Sequence, residues 1–401
     1  MLPAEIFDTI GDFLYDDRHS LLACGLCRPL LPSTRYHLFS DLSVQLSAQR
    51  VTSLTRIIKS TCNTISPYVQ RVVFNDLARW VFVAGVSDIE CAIRKMPRVL
   101  SMLPAARCVR ISNTDFEHVP QEIIRCLVSY LHPFVNLELH SLHFYRFSEF
   151  ADLVCSLPML ERVELKRLTW THNGRGVSNL GRVSSHVEWH ILELRHGKNL
   201  RDLAEWLGAH NPTPIIRSFY YDATSQSEVY QLRNLLRRIA PSLRYLQVSF
   251  PVFADNRSKS DTLRDFIDLQ ECTSLRSLRY KHILLMPDDA VTTMISPWVS
   301  QMLSQIPSDS LEDVGFEFML PNSEDETCLK ELDWSGISSA LSRKEFRYLR
   351  SIQFNMSAGT AFNSACATNY ILDRMPNFKH ALRKSARPTR IPAYFASVGI
   401  Q

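Results

Sequence analysis

The sequence lacks long apolar runs and has little that is typical of a secreted or membrane-spanning protein. Its longest apolar stretches are much shorter than the roughly 18 residues that span a bilayer, so we expect no membrane partner. The opening residues MLPAEIFD contain no basic segment and no small-residue cleavage site, so we expect no secretion signal. The 10 cysteines are irregularly spaced, which in an unsecreted chain favours reduced, mostly buried thiols. These absences predict a cytoplasmic or nuclear protein.

Positive charge is scarce outside the C-terminus. The net formal charge is +4, and the chain from Arg374 onward contains six Lys or Arg and no acidic residue. The body is therefore nearly neutral, whereas a nucleic-acid-binding body should have a basic face. We expect no nucleic-acid partner. The basic tail is interpreted as a solvated end or a helical cap, with nuclear import or anion binding as the alternative.

Catalytic and cofactor motifs are also absent from the sequence. Cys24 and Cys27 form a Cys-x-x-Cys motif, but no second ligand pair and no thioredoxin-like context accompany it. The glycines of NGRGVSNLGRVSS lack the strand-and-helix frame that binds pyrophosphate, and neither a P-loop nor a G-x-S-x-G segment is present. Four histidines lie near one another without the His-Glu-x-x-His pattern: His172, His186, His190 and His196. We predict that the protein is not an enzyme and uses no metal or cofactor.

The sequence does contain a repeated apolar spacing. FVNLELHSLHF from Phe134 and LERVELKRLTW from Leu160, 26 residues later, share the pattern Φ-x-x-Φ-x-Φ, where Φ is apolar. The pattern occurs eleven times, and six consecutive units follow one another at steps of 26 to 29 residues. Periods of this length with a Leu-x-x-Leu-x-Leu strand indicate leucine-rich repeats. The units begin at Phe39, Val69, Ala106, Phe134, Leu160, Trp189, Ile216, Leu243, Leu275, Leu311 and Leu349.

The segments between these units have helical spacing. FSEFADLVCSLP places apolar residues on one helical face and ends at Pro158, and similar spacing recurs at 200–207, 229–239 and 263–267. Alternating strands and helices at a near-constant period predict an α/β fold. We expect an irregular leucine-rich-repeat solenoid over residues 46–360, with a parallel β concave face and a helical convex face. The last steps of 32, 36 and 38 residues account for the irregularity, and residues 361–401 are predicted to form a C-terminal helical cap and basic tail.

Residues 1–45 are predicted to form a compact helical module. Pro3 suits the first turn of a helix, and Glu5 complements the helix N-terminus. About forty residues are barely enough to fold alone, so the module should need a partner or the adjoining repeats. Three apolar faces are predicted, formed by Ile6, Ile10, Phe13 and Leu14, by Leu21, Leu22 and Leu26, and by Tyr36, Leu38 and Phe39.

The module carries a recognisable motif: Leu2-Pro3-x-Glu5-Ile6, Asp17, Leu21-Leu22-Ala23-Cys24, Cys27-Arg28, Leu31-Pro32 and Arg35-Tyr36-His37-Leu38-Phe39. Over residues 2–44 it resembles an F-box, in particular the fungal type that precedes degenerate leucine-rich repeats. The resemblance implies a substrate-recognition subunit of a cullin–RING (SCF-type) ubiquitin ligase. The F-box would bind a Skp-type adaptor and through it a cullin, and the repeats would present an unidentified protein target. The adaptor-binding residues that the resemblance implies are Leu2, Pro3, Ile6, Ile10, Leu14, Leu22, Leu26 and Leu30.

Two features depart from the family pattern. The family usually has a residue between the leucine and cysteine of Leu-x-Cys-Arg, whereas Leu26 directly precedes Cys27, and Pro29-Leu30 replaces the usual position of a Trp. A one-residue deletion turns a helix by about 100°, and a proline disrupts a helix interior. Either the second helix ends early, at Arg28, or adaptor binding is weakened. The alternative function is therefore a leucine-rich-repeat interaction scaffold that no longer binds the adaptor.

The residue between the second and third Φ positions should face the concave side of the sheet. In three successive strands it is a glutamate (Glu138, Glu164, Glu193), an unfavourable arrangement for which Lys166 and Arg195 could compensate. Further along, the face becomes rich in Arg and Tyr, which dominate binding hot spots. We predict that an acidic or phosphorylated target segment binds there; the alternatives are a solvated face with cross-strand ion pairs and a small-molecule site in a closed pocket. The predicted target-binding residues are Arg217, Tyr220, Arg244, Tyr245, Arg276, Arg279 and Lys281.

Overall fold

A computed structural model of the chain divides into two compact units, residues 1–188 and 189–401. Within the described ranges, every helix is too short or too polar to traverse a lipid bilayer. The structure describes residues 4–14, 17–60, 63–172, 187–195, 200–210, 214–222, 226–249, 268–284, 299–307, 309–319, 327–330, 332–357, 369–371 and 373–376.

The first unit begins with three α-helices and continues as strand–helix repeats. Its helices are α1 (Ala4–Phe13), α2 (Arg18–Cys24), α3 (Leu31–Phe39), α4 (Ala48–Lys59), α5 (Leu77–Ala84), α6 (Val86–Leu100), α7 (Gln121–Leu131) and α8 (Phe147–Cys155). Its strands are β1 (Asp41–Val44), β2 (Arg71–Asn75), β3 (Cys108–Asp115), β4 (Asn136–Arg146), β5 (Arg162–Lys166) and β6 (Thr169–His172). Strands β1 to β5 pair in chain order and in parallel, and β6 also pairs with β4.

The second unit has the same construction. Its strands are β7 (Glu188–Arg195), β8 (Ile215–Ile216), β9 (Ser218–Asp222), β10 (Tyr245–Ser249), β11 (Ser277–Leu284), β12 (Asp313–Met319) and β13 (Ser351–Ser357). Its helices include α9 (Leu200–Gly208), α10 (Gln226–Ile239), α11 (Thr327–Lys330) and α12 (Trp334–Leu341). The strand order is β7-β9-β10-β11-β12-β13, all parallel, with β8 beside β7.

The apolar positions predicted from the sequence are register partners in both units. Leu137 of β4 lies opposite Val109 and Val163, and Leu246 of β10 lies opposite Phe219 and Leu278. All five of these side chains are buried. The predicted mixed α/β fold of the leucine-rich-repeat type, in which each repeat adds one layer to a shared core, is confirmed.

Neighbouring repeats are also joined through the backbone at the start of each strand. The carbonyl of Arg107 accepts hydrogen bonds from the N–H groups of Val135 and Asn136, at 3.1 and 3.0 Å. The carbonyl of Arg244 accepts in the same way from Arg276 and Ser277, at 2.8 and 3.0 Å. One carbonyl therefore receives two donors of the next repeat, which keeps this edge of the sheet satisfied.

The predicted helices at Phe147, Leu200 and Val229 correspond to α8, α9 and α10, whereas the predicted helix at 263–267 lies outside the described residues. In the last repeats, aromatic residues occupy the third apolar position. Tyr280 stacks on Phe316 with ring centroids 5.5 Å apart, and Phe316 stacks on Phe354 at 5.3 Å. Such stacked rings fill the inner layer of the second unit.

In the first unit the chain leaves four strand segments through a left-handed residue. The backbone φ angles are 51 to 56° at four residues, each two positions after the third Φ: Asp76, Asn113, Ser141 and Arg167. The next residue then turns back into the core, as Leu142 and Leu168 do. This turn performs the role for which the sequence offered no recurrent Asn.

The N-terminal helices are continuous with the first repeat. Helix α3 ends at Phe39, and the carbonyl of Ser40 accepts hydrogen bonds from the N–H groups of Gln70 and Arg71, each at 2.9 Å. The Tyr36 hydroxyl lies 3.4 Å from Gln70 Oε1. Of the predicted tail at 361–401 the structure describes only 369–371 and 373–376, where Ile371 and Met375 are buried. The boundaries near residues 45 and 360 remain predictions.

Candidate functional site

The second helix of the N-terminal module is short and capped by an acidic residue. The Asp17 carboxylate accepts hydrogen bonds from the backbone N–H of His19 and of Ser20, each at 3.1 Å, and from Ser20 Oγ at 2.6 Å. These bonds, that from the Ser20 hydroxyl foremost, hold the pKa of Asp17 below its ordinary value. They also satisfy N–H groups that the first turn of a helix leaves without partners.

The altered segment at Leu26 to Leu30 does not interrupt a helix. Helix α2 ends at Cys24, earlier than the predicted Arg28, and Pro29 lies in the first turn of a 3-10 helix, Arg28–Leu30. A proline is tolerated there because its missing N–H has no helical partner to lose. The one-residue deletion before Cys27 therefore falls in the connection between two helices, where it rotates no helical face.

The module leaves much of its apolar surface exposed to solvent. Phe13 and Leu26 are each 87% exposed, and Leu22 is 52% exposed. Ile6 and Ile10 are exposed as well, while Leu14 and Leu30 are half-buried. We refer to the five exposed residues, Ile6, Ile10, Phe13, Leu22 and Leu26, as the exposed apolar residues of the module. Of the eight predicted adaptor-binding residues, only Leu2 and Pro3 lie outside the described residues.

A few buried contacts hold the module together. Leu21 and Thr34 are buried, and the Thr34 hydroxyl donates to the carbonyl of Leu31 at 3.1 Å. His37 Nε2 of α3 lies 3.1 Å from Asp12 Oδ1 of α1. The helices are therefore tied to one another and to the first repeat, while the leucines and isoleucines predicted to bind the adaptor are left accessible.

The residues between the second and third Φ positions form what we call the open face of each unit. In the first unit this face neutralises its own charges. Glu138 accepts from Arg71 Nε at 3.1 Å and from Arg110 Nε at 2.6 Å, and Arg71 Nη1 lies 2.8 Å from Asp41 Oδ1. The prediction that the glutamates need compensation holds for Glu138, but its two arginine partners were missed. Arg110 is its register partner on β3, which is the signal that could have identified it.

Glu164 is compensated by the lysine that the sequence suggested and by a histidine. Lys166 Nζ lies 2.5 Å and His140 Nε2 lies 3.2 Å from Glu164 Oε1. The hydrogen bond from His140, with that from Lys166, lowers the pKa of Glu164 to about 2 although partial burial opposes the shift. The suggested partner Arg195 has a side chain outside the described residues.

The open face of the second unit carries an aromatic and cationic cluster. The rings of Tyr220 and Tyr245 lie with their centroids 4.9 Å apart, and the Arg279 guanidinium carbon lies 5.9 Å from the Tyr245 ring centroid. The Tyr245 hydroxyl lies 3.4 Å from Gln247 Oε1. Burial raises the pKa of Tyr245 to about 12. The structure thus brings three of the predicted target-binding residues into contact, and we call Tyr220, Tyr245 and Arg279 the tyrosine–arginine cluster.

Arg279 lies across the only central strand position in its row that has no side chain. A Cβ atom placed on Gly315 would be 3.2 Å from Arg279 Cγ, and the two residues are register partners on β11 and β12. Among the described residues, no carboxylate forms an ion pair with Arg279 or with Lys281, two residues further along β11. These two cations differ in that respect from Arg71, Arg110 and Lys166 of the first unit.

The other predicted target-binding arginines occupy a separate row at the beginning of the strands. Main-chain hydrogen bonds link Arg217 to Arg244 and Arg244 to Arg276. Arg276 Nη1 lies 3.8 Å from Glu312 Oε1, and Arg350 Nη1 lies 3.7 Å from Glu312 Oε2. The seven predicted residues therefore fall into two groups, a row along the strand beginnings and a group around the tyrosine–arginine cluster.

Two groups of side chains within the described residues have potential metal ligands within 4.8 Å of one another. In one of them, Glu138 and Glu164 already receive Arg and Lys side chains. In the other, Nδ1 and Nε2 of His143 lie 2.8 and 2.9 Å from the hydroxyls of Thr169 and Thr171. Both arrangements are accounted for by hydrogen bonds and ion pairs. Of the four histidines considered in the sequence, His186 and His196 lie outside the described residues.

Comparison with known proteins gives structural likenesses only. No protein-family model matches the sequence, and no curated protein sequence matches it. The chain is similar to the leucine-rich-repeat-containing protein LegL7 from Legionella pneumophila, with a TM-score of 0.37 and 11% identity over 85% of this chain and 94% of that one. It is similar to the complex of Rad7 and Elc1 in yeast, with a TM-score of 0.41 and 10% identity over 96% of this chain and 86% of that one. A leucine-rich-repeat protein from Leptospira interrogans gives a TM-score of 0.22 and 10% identity over 72% of this chain and 92% of that one. At scores this low, the likenesses do not bear on what this chain binds.

Proposed function

We propose that this chain is a non-enzymatic substrate receptor of a cullin–RING ubiquitin ligase, which binds a Skp-type adaptor through residues 1–45 and a target protein through its repeats. The observation that carries the proposal is the exposure of the module's apolar residues. Burying one large apolar side chain is worth about 1.5–3 kcal/mol, and soluble proteins seldom expose many such residues in so short a segment unless a partner covers them.

The identity of the exposed residues supports an adaptor as that partner. Ile6, Ile10, Leu22 and Leu26 are four of the residues through which an F-box is expected to contact its adaptor, and all four are exposed. The N-cap at Asp17, another position of the motif, keeps α2 formed although this helix is only 7 residues long. Because the helix ends before Pro29, the altered segment is compatible with adaptor binding.

A binding measurement between the purified chain and a purified Skp-type adaptor tests the proposal. The variant Ile6→Ala/Leu26→Ala removes two exposed apolar side chains, and we expect it to weaken adaptor binding by at least about tenfold, since interface hot spots contribute about 2 kcal/mol or more each. Isothermal titration calorimetry on the wild-type chain and the variant gives the two affinities.

The chain supplies a matched control on another surface. Phe82 is 91% exposed and Val83 is 64% exposed, both on α5. Phe82→Ala/Val83→Ala removes a similar apolar area and should leave adaptor affinity unchanged. If the intact chain does not bind the adaptor, or if both double variants lose affinity equally, the receptor proposal fails. A leucine-rich-repeat scaffold without an adaptor then remains as the alternative function.

A further inference from the structure

We propose that the tyrosine–arginine cluster of the second unit is an anion-recognition site, in which Arg279 binds a carboxylate or phosphate of an extended target peptide and Tyr220 and Tyr245 contact a neighbouring apolar or aromatic side chain. The inference deepens the proposed function and rests on it in one respect, namely that the bound segment belongs to a ubiquitylation target. The site itself lies within residues 218–281 and can be tested without the adaptor.

The first step is that Arg279 is held in place before any ligand binds. Its guanidinium lies 5.9 Å from the Tyr245 ring centroid, and its Cγ would contact a Cβ on Gly315 at 3.2 Å. A stacked guanidinium keeps the N–H groups along its edge available, and these match the two oxygens of a carboxylate or phosphate. A pre-positioned arginine also loses less side-chain entropy on binding.

The second step is that the charges of this face are incompletely compensated. Arg71, Arg110 and Lys166 of the first unit each have a carboxylate within 4.0 Å. Among the described residues, Arg279 and Lys281 have none. The complementary ligand for this pair of cations is therefore acidic.

The third step is that the aromatic rings beside Arg279 define the rest of the ligand. Tyr220 and Tyr245 are half-buried, with ring centroids 4.9 Å apart. Tyr and Arg combine apolar contact area with directional hydrogen bonding, which is typical of peptide-binding hot spots. An acidic residue next to an aromatic one fits both parts of the cluster. The near-neutral charge of the whole chain, +4, favours such a peptide over a nucleic acid, which needs several phosphate contacts.

Fluorescence anisotropy with labelled peptides of about ten residues tests this site on the purified full chain. The first probe has Glu-Tyr-Glu between Gly-Ser flanks, the second has Gln in place of each Glu, and the third has phosphoserine in place of each Glu. We expect the Glu or the phosphoserine peptide to bind and the Gln peptide to bind at least about tenfold more weakly. Which acidic peptide binds more tightly identifies the carboxylate or the phosphate as the recognised group.

Variants separate Arg279 from a general effect of charge. Arg279→Ala should weaken binding of the acidic peptide at least about tenfold, and Arg279→Lys should weaken it less, because the charge remains but the two-pronged geometry is lost. Gly315→Val leaves the arginine in the chain but occupies the space beneath its side chain, so it should also weaken binding. Far-ultraviolet circular dichroism of each variant verifies that it is folded.

Arg276→Ala is the matched control, since it removes the same charge from the same segment at a residue that already pairs with Glu312. It should change the affinity by less than about twofold. Equal losses in Arg276→Ala and Arg279→Ala would overturn the proposal, as would binding of neither acidic peptide or tighter binding of a single-stranded oligouridine probe. Failure of adaptor binding with peptide binding intact would instead refute only the ligase assignment.

Discussion

At the scale of single residues, charges on the sheet are matched across strands and not along the chain. Glu138 binds Arg71, which is 67 positions away in the sequence, and Arg110, which is 28 positions away. Because such pairs are half-buried, each partner depends on the other to offset the cost of losing water. Removing a single member should therefore be more costly than removing an exposed charge.

Glu164 gives a pH-dependent form of that expectation. Its pKa in the folded chain is about 2, below the ordinary value of 4.5, so its ionised form stabilises the fold at neutral pH. This contribution is lost as the pH falls from about 5 to about 2. We expect Glu164→Gln to lower the free energy of unfolding by about 1–3 kcal/mol at pH 7, and the difference from wild type to shrink as the pH approaches 2.

Urea denaturation of both proteins over this pH range measures the difference directly. The control is Glu161→Gln, an exposed glutamate that precedes the same strand. Its effect should be small at every pH, because exposed charges contribute little. A Glu164→Gln effect that is independent of pH would show that the ion pairs with His140 and Lys166 do not stabilise the fold.

Pairings of this kind mark where sequence reasoning stops. Lys166 was identified as a partner of Glu164 because it lies two residues further on the same strand face, a relation that the period of a strand makes visible. The pairing of Glu138 with Arg71 depends on register across three strands and on side-chain reach. The stacking of Arg279 on Tyr245 depends on the space above Gly315, which no local pattern encodes.

At the scale of helices and strands, the apolar period was sufficient to predict most of the repeat. Helices α8, α9 and α10 occur where the helical spacing predicted them, and the strands align at the predicted apolar positions. The left-handed turns at Ser141 and Arg167 were not predicted. Such a conformation costs an ordinary residue about 1–2 kcal/mol, so it occurs only where the surrounding repeat compels it.

Helix α2 depends on its cap more than longer helices do, because it has only 7 residues and short helices are marginal in isolation. We expect Asp17→Ala to weaken adaptor binding, since loss of the cap frays α2 and displaces Leu22. Asp17→Asn should retain most of the affinity, because Asn is an equally good N-cap residue.

Titration calorimetry with the adaptor compares these two variants with wild type. Far-ultraviolet circular dichroism reports whether helix is lost. Equal affinities for Asp17→Ala and wild type would mean that the cap does not contribute to the adaptor-binding conformation.

At the scale of the whole molecule, the two proposed surfaces belong to different compact units. The exposed apolar residues of the module lie within residues 1–188, and the tyrosine–arginine cluster lies within 189–401. If each surface acts as proposed, changes in one should not alter the affinity of the other, because distant sites usually behave additively.

Target ubiquitylation should nevertheless require both surfaces. We expect Leu26→Ala to retain acidic-peptide binding and Arg279→Ala to retain adaptor binding, while each variant fails to support ubiquitylation of a target in a reconstituted ligase. The double variant should be no worse than either single variant in that assay. Ubiquitylation by Arg279→Ala at the wild-type rate would show that targets bind elsewhere on the chain.

The carbonyl that receives two N–H groups at the start of each repeat has a consequence for how such a protein can evolve. Repeats are joined there by backbone atoms alone, so the side chain at that position does not have to be conserved for the joint to persist. Gln70, Arg107, Val135 and Glu312 all occupy it, with the same pair of hydrogen bonds. Mutations can therefore reverse the charge along this edge while the backbone architecture is inherited unchanged, so descendants of one ancestor can diverge in the partners they select without acquiring a new fold.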